Sequence, residues 1–186
     1  MTLSSSSRRA FLALAASGAA LGLPQSGSAA RPEAPPLYIT TPKPFPAFKF
    51  SDASGHPLSL ADFHGKFVLL NIWATWCIPC RKEMTTLDQL QVKLGGPHFE
   101  VVPVSIDAEG LAAVRKFYAE IKIERLGIFL DPSGSVMQML NLEGVPTSFL
   151  IDPNGKQIGR ETGAVVWDSP SVVSFLNHQI SRHPHD

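Results

Sequence analysis

The feature that most restricts the fold is an apolar run, residues 67–74, followed closely by a cysteine pair and a helical pattern. The run, FVLLNIWA, has one polar interruption, Asn71, which is typical of a strand buried on both faces of a sheet. From Cys77 onward, apolar residues recur at helical spacing until Gly-Gly-Pro, residues 95–97, ends the pattern. A second apolar strand follows at residues 98–107. Strand, helix and strand in this order predict a parallel βαβ unit with a right-handed crossover.

The rest of the chain continues this α/β pattern. The remaining expected elements are two short strands around a Ser-Gly turn (48–60), a helix (108–123), a strand (126–131), a short helix (135–142), a hairpin (147–163) and a final helix (169–180). We therefore predict a central mixed sheet flanked by helices, parallel in its first part and antiparallel at its last hairpin.

Composition favours one globular domain. A chain of 186 residues with 44% hydrophobic residues can bury one core of ordinary size. The formal net charge is zero, so nucleic-acid binding is not expected. The six histidines are scattered without metal-ligand spacing, and no metal or other cofactor is expected. We expect a monomer.

The first thirty residues, 1–30, have the pattern of an export signal. SRRAFL, residues 7–12, resembles the twin-arginine signal. The apolar run at 10–23 is shorter than the ~20 residues that span a bilayer. Small residues at 28–30 suit signal peptidase, so cleavage is expected near Arg31. The alternatives are an uncleaved signal that anchors the protein in the membrane, and a disordered tail with a chance arginine pair.

The segment after the signal, residues 31–46, contains six prolines and is predicted to be an extended, unpacked linker. The folded domain is then expected at residues 47–182. Export by such a signal places the domain in the periplasm, where a close cysteine pair can be oxidised and remain so unless another molecule reduces it.

The two cysteines of the chain, Cys77 and Cys80, lie where the predicted helix begins. A bridge across so short a loop contributes little to stability, which favours a redox role. The helix macrodipole and the free N–H groups of the first turn stabilise a thiolate at Cys77, and Cys80 lies one turn further along. Pro79 suits the first helical turn, and Trp76 can cover one side of the site. The pattern predicts thiol–disulfide exchange.

Other chemistries fit less well. A structural zinc site needs four ligands, and haem attachment needs a histidine directly after Cys80, where Arg81 stands. Three alternatives stay open: a purely structural disulfide, a module that binds or delivers a soft metal such as copper through the two sulfurs, and a thiol peroxidase of related fold.

The stretches WATWCIPCRKEM, residues 73–84, and GVPTSFLIDPNG, residues 144–155, together resemble the thioredoxin fold. More narrowly, they resemble the exported TlpA-like (ResA-like) thiol–disulfide oxidoreductases, over roughly residues 45–182. The resemblance implies a thioredoxin-like fold with an N-terminal β-hairpin and a central strand–helix insert at 107–142. It also implies a reductase of disulfides in exported client proteins of cytochrome c or copper-site assembly, restored by a membrane thiol electron donor.

The resemblance also implies roles for individual residues. Cys77 would be the attacking thiol and Cys80 the resolving one, forming the redox-active disulfide. Pro146 matches the family's cis-proline, whose loop packs against the cysteines and hydrogen-bonds the partner's backbone. Glu83 matches an acidic residue that tunes the thiol pKa values and shuttles a proton. The residues expected to contact the substrate flank these groups: Trp76, Ile78, Pro79 and Val145.

Two positions depart from the related patterns. Thioredoxins carry a buried aspartate at the position of Asn71, and the family's usual helix proline is replaced by Thr85. Since Asn71 cannot titrate, proton transfer would fall on Glu83. The alternatives are that Asn71 is a hydrogen-bonded core amide and that Glu83 is a solvated charge paired with Arg81 or Lys82.

Overall fold

The computed structural model describes residues 37–182. The strands of this part are β1 (Tyr38–Pro44), β2 (Phe50–Asp52), β3 (Pro57–Leu58), β4 (Phe67–Trp73), β5 (Phe99–Ser105), β6 (Phe129–Leu130), β7 (Thr147–Ile151) and β8 (Lys156–Thr162). The helices are α1 (Ile78–Leu94), α2 (Leu111–Ile121), α3 (Ser135–Met139) and α4 (Pro170–Ser181), with a 3-10 turn at Leu60–Phe63. Within residues 37–182, no helix is both long and apolar enough to span a membrane.

The strands form one mixed sheet in the order β1-β8-β7-β4-β5-β6-β2-β3. Strands β4, β5 and β6 run parallel, whereas β7 pairs antiparallel with β4 and β8 antiparallel with β7. The predicted sheet is confirmed, and so are the β2–β3 hairpin and the insert that contributes α2, β6 and α3. The parallel β4–α1–β5 unit places the end of β4 and the start of α1 at the same edge of the sheet.

Burial explains why the 67–74 run lies at the centre. All seven residues of β4 are buried, with β5 on one side and β7 on the other. Alternate side chains face two separate cores: Leu69 packs in the core beneath α1, and Leu70 in the core on the opposite face. Because β4 cannot shift without exposing apolar side chains on both faces, the loop after it is held at a defined position.

The prediction of an unpacked linker is wrong for residues 37–44. Residues 38–44 form β1, which pairs antiparallel with β8, and Leu37 is buried. Prolines are compatible with this strand because it lies at the edge of the sheet, where a missing N–H on the outer side costs no ladder hydrogen bond. The predicted signal at 1–30 and residues 31–36 lie outside the described residues.

Candidate active site

The two cysteines meet at the N-terminus of α1, joined in a disulfide. Cys77 is the N-cap residue, and its Cα lies 5.2 Å from that of Cys80. The Cys80 N–H donates a hydrogen bond to Cys77 Sγ over 3.2 Å, and Pro79 occupies the first helical turn. A thiolate formed here on reduction would accept the same N–H and face the positive end of the helix.

The two sulfurs differ in accessibility. Cys80 has no solvent exposure, whereas Cys77 is 6% exposed at the surface of the site. Cys77 Sγ also lies 3.5 Å from the carbonyl oxygen of Val145, and the Val145–Pro146 peptide bond is cis, as the resemblance implies. Of the two cysteines, only Cys77 keeps any solvent exposure, and it does so beside the Pro146 loop.

Glu83 lies inside the protein, one turn beyond Cys80 on α1, with only 2% of its surface exposed. Its carboxyl oxygens accept hydrogen bonds from Asn71 Nδ2 at 2.7 Å and from the Val165 N–H at 3.0 Å. Burial raises the pKa of Glu83 to about 7, although these two donors act in the opposite direction. The alternative that Glu83 is a solvated charge is wrong, because its side chain is buried. Arg81, one of the two partners suggested for it, pairs with Glu120 instead.

Asn71 is a hydrogen-bonded core amide, as one of the two interpretations predicted. Its Nδ2 donates both to Glu83 and to Ser148 Oγ, 2.9 Å away on β7, while its Oδ1 has no partner. The indole N–H of Trp167 lies near the Glu83 carboxyl and opposes part of the pKa rise, without the geometry of a full hydrogen bond. Glu83 is thus surrounded by donors that favour its charged form and apolar groups that oppose it.

Comparison with known proteins identifies one family model that matches most of the described chain. The model of the AhpC/TSA family matches residues 42–157, a span that includes both cysteines, Glu83 and Pro146. The chain belongs to the AhpC/TSA family.

The individual relatives belong to a more specific group, the thiol-disulfide oxidoreductases. Thiol-disulfide oxidoreductase ResA of Bacillus thuringiensis subsp. konkukian is 35% identical over 116 residues, which are 62% of this chain and 66% of that protein. ResA of Bacillus subtilis is 32% identical over 120 residues, 64% of this chain and 66% of that protein.

Solved structures with the same thioredoxin-like fold include a thiol:disulfide interchange protein from Chlorobium tepidum TLS. It has a TM-score of 0.60 and 28% identity, and the match covers 74% of this chain and 98% of that one. The thioredoxin domain of a Bacteroides vulgatus thiol-disulfide oxidoreductase has a TM-score of 0.64 and 25% identity, covering 77% of this chain and 99% of that one. The predicted fold is therefore confirmed.

The apolar rim of the site combines predicted and unpredicted residues of this AhpC/TSA member. Trp76 is 64% exposed and Ile78 68% exposed, Pro79 is also exposed, and Val145 is half-buried. The loop after β8 reaches this part of the site, since the N–H of Gly163 in that loop donates to the Pro146 carbonyl. The sequence interpretation missed this loop because it carries no periodicity.

A second group missed from the sequence fixes the loop before the cysteines. The buried carboxylate of Asp107, just after β5, accepts hydrogen bonds from the Thr75 N–H at 2.9 Å and the Thr75 hydroxyl at 2.6 Å. The Thr75 carbonyl accepts from the Arg81 guanidinium, which stacks 4.5 Å from the centre of the Phe117 ring. All the hydrogen-bonding groups of Thr75 are engaged, so the chain entering the site at Trp76 is held from both sides. An Asp at the end of the apolar run 98–107 was the signal available in the sequence.

Replacing Thr75 with valine tests this arrangement. Thr75→Val keeps the shape but removes the hydroxyl that donates to a buried carboxylate, so we expect the free energy of unfolding to fall by about 2 kcal/mol. Thr85→Val, at an exposed position of α1, is the matched control and should stay within about 0.5 kcal/mol of wild type. Chemical denaturation of the oxidised proteins measures both values. Equal effects of the two substitutions would contradict the assigned role of Asp107.

Proposed function

We propose that this protein is a periplasmic thiol–disulfide oxidoreductase that reduces disulfides in exported client proteins. The observation that carries the proposal is the asymmetric pair at the helix N-terminus: Cys77 retains slight solvent exposure, whereas Cys80, one turn behind it, has none. Nucleophilic attack needs the first property and resolution of the mixed disulfide needs the second.

The reaction proceeds in two exchanges. The Cys77 thiolate attacks one sulfur of a client disulfide, which forms a mixed disulfide and releases the other client sulfur as a thiolate. The Cys80 thiolate then attacks Cys77 Sγ, which breaks the mixed disulfide and frees the second client thiolate. The client gains two electrons and two protons, and the protein is left with the Cys77–Cys80 disulfide of the described structure. A membrane thiol donor would return two electrons to restore the dithiol.

Glu83 is suited to handle the proton of Cys80 in the second exchange. A general base works best when its pKa lies near the working pH, and the pKa of Glu83 is raised to about 7. Its position one turn beyond Cys80 puts the carboxyl on the buried side of the dithiol rather than on the client side. Glu83 can therefore accept a proton from the inaccessible thiol without competing with the client.

The apolar rim supports a proposal for how clients are bound. Trp76 and Ile78 present exposed apolar surface on either side of Cys77, and such surface marks contact sites on soluble proteins. An extended client segment with apolar residues beside its disulfide fits this surface, with its backbone against the Val145–Pro146 loop. Clients in cytochrome c or copper-site assembly follow from the resemblance.

The two other candidate functions make different demands on the site. Delivery of a soft metal requires a further soft ligand near the sulfurs, and within residues 37–182 no cluster of three or more His, Cys, Asp or Glu residues is placed to hold an ion. A thiol peroxidase would consume peroxide with Cys77 present, and would lose that activity in Cys77→Ser. Metal titration of the reduced protein and a peroxide assay therefore accompany the main experiment.

The reduction potential of the Cys77/Cys80 couple tests the proposed direction of exchange. We expect a value near about −250 mV, because a client reductase must be more reducing than the disulfides it opens. Equilibration in glutathione or dithiothreitol buffers, followed by thiol alkylation and mass spectrometry, gives the oxidised fraction at each potential. A value near about −120 mV would identify an oxidant and would contradict the proposed direction.

A further inference from the structure

A second concave site lies away from the dithiol. A groove of about 240 Å³ lies on the sheet face that carries Leu140 and Phe149, whereas α1 packs on the other face. Phe45 completes its apolar lining, and its polar lining includes Lys43, Gln157 and Arg160. None of the residues placed at the active site lines this groove, so the disulfide chemistry does not account for it.

A β-bulge directs Gln157 and Arg160 into the same groove. Consecutive residues of β7 pair with Gly159 and Gln157, which leaves Ile158 without a partner on that strand. In a regular strand, side chains three residues apart lie on opposite faces of the sheet. The extra residue reverses this alternation, and both side chains line the groove. Bulges commonly re-aim side chains toward functional sites.

The Gln157 amide lies in the wall of the groove. The residue is 5% exposed, and its amide atoms are not among the fully buried polar atoms that lack a hydrogen bond within residues 37–182. Because no hydrogen bond within this part of the chain engages the amide, it can donate to a molecule that occupies the groove.

The charge of the groove is positive. Lys43 and Arg160 form no ion pair within residues 37–182, and no Asp or Glu is among the lining residues. The Arg160 guanidinium stacks 5.4 Å from the centre of the Phe149 ring, which restricts its motion while leaving its N–H groups available. An arginine held in this way is suited to a planar anionic group such as a carboxylate.

We propose that this groove binds a small organic carboxylate with an apolar body about the size of one aromatic ring. Arg160 and Lys43 pair with the carboxylate, Gln157 donates an amide N–H to the same group, and the apolar body lies against Phe45 and Leu140. The groove is smaller than the roughly 300–1,000 Å³ of sites for drug-sized ligands, which restricts the ligand to a single ring or its aliphatic equivalent. The proposal is independent of the function proposed for the dithiol.

Titration of the full-length oxidised protein with phenylacetate tests the site, with neutral phenylacetamide as the matched ligand. In two-dimensional NMR, phenylacetate should saturably shift the backbone amides of Asn141, Gln157 and Arg160. Phenylacetamide should bind at least about tenfold more weakly, since it lacks the charge that Arg160 and Lys43 recognise. N-acetylphenylalanine, which mimics a peptide C-terminus, is tested in a second titration. If it binds more tightly than phenylacetate, the natural ligand is a peptide C-terminus; if it binds more weakly, the natural ligand is a free acid.

Substitutions separate the groove from general charge effects. Arg160→Gln should weaken phenylacetate binding at least about tenfold, and Lys43→Gln, on the edge strand, should weaken it in the same direction. Lys156→Gln is the control because Lys156 is an exposed cation of β8 outside the groove. All three variants should keep wild-type disulfide exchange. Equal binding of acid and amide, or equal loss in Lys156→Gln and Arg160→Gln, would overturn the proposal.

Discussion

Cys77→Ser is expected to abolish disulfide exchange, whereas Cys80→Ser is expected to stop the reaction at the mixed disulfide. Removing Cys77 leaves only a sulfur with no solvent exposure, so the rate of client reduction should fall by at least about a thousandfold. Removing Cys80 leaves the accessible nucleophile in place but takes away the group that resolves the intermediate. The two single substitutions therefore have different products, although each prevents turnover.

A peptide with one fluorophore-labelled disulfide measures both outcomes. Turnover is read from the release of fluorescence, and intact-mass spectrometry shows whether the peptide remains attached to the protein. Both variants lack the Cys77–Cys80 bridge, so each controls for loss of that bridge in the other, and their free energies of unfolding should be similar. Accumulation of a mixed disulfide on Cys80 in the Cys77→Ser variant would show that the assigned order of attack is wrong.

Glu83→Gln is expected to remove a large pH dependence of stability. The carboxyl has a pKa near 4.5 in the unfolded chain and about 7 in the folded protein, because burial disfavours the charged form. The folded state thus holds the proton more tightly. Its contribution to stability is fully present below pH 4.5 and is lost as the pH rises through 7. The shift corresponds to about 3 kcal/mol.

The measurement is the free energy of unfolding of the oxidised wild type and Glu83→Gln between pH 4 and pH 8.5, roughly the window set by the two pKa values. The difference between the two proteins isolates Glu83 from the titration of other groups, and the stability of wild type should fall relative to the variant by about 3 kcal/mol across this range. The unpartnered Oδ1 of Asn71 offers an acceptor to the new amide if the Asn71 side chain flips, so the variant should fold. A constant difference across the range would show that the folded and unfolded states bind the Glu83 proton equally, so that folding does not raise this pKa.

Some features of the site could be predicted from local patterns. The 67–74 run and the helical spacing after Cys77 indicate a strand, a turn and a helix, and the chemistry of a thiol at a helix N-terminus follows from that alone. Cis-Pro146 and the attacking and resolving roles of the two cysteines required a further step, the resemblance to a family. Its motifs at 73–84 and 144–155 lie far apart in the chain and meet only through the β4–β7 pairing.

Other features depend on contacts that no local pattern contains. The prolines of residues 31–46 favour a linker, yet β1 forms because the edge of β8 is free to pair with it. A charged residue three positions after Cys80 is expected to be exposed to solvent. Glu83 is nevertheless buried, because the loop around Val165 covers that side of α1. The sequence places Asp107 directly after a predicted strand, but its partner is identified only when the end of β5 is placed beside Thr75.

By itself, then, the sequence determined which residues form the elements and which sulfur begins the helix, since these depend on interactions between neighbours along the chain. Only the tertiary structure decided which sulfur solvent can reach, that the Glu83 pKa is raised, and that Gln157 and Arg160 face one groove. The physical reason is that burial and electrostatic environment are set by segments distant in sequence: desolvation of Glu83 needs α1, β4 and the loop after β8 to be packed together.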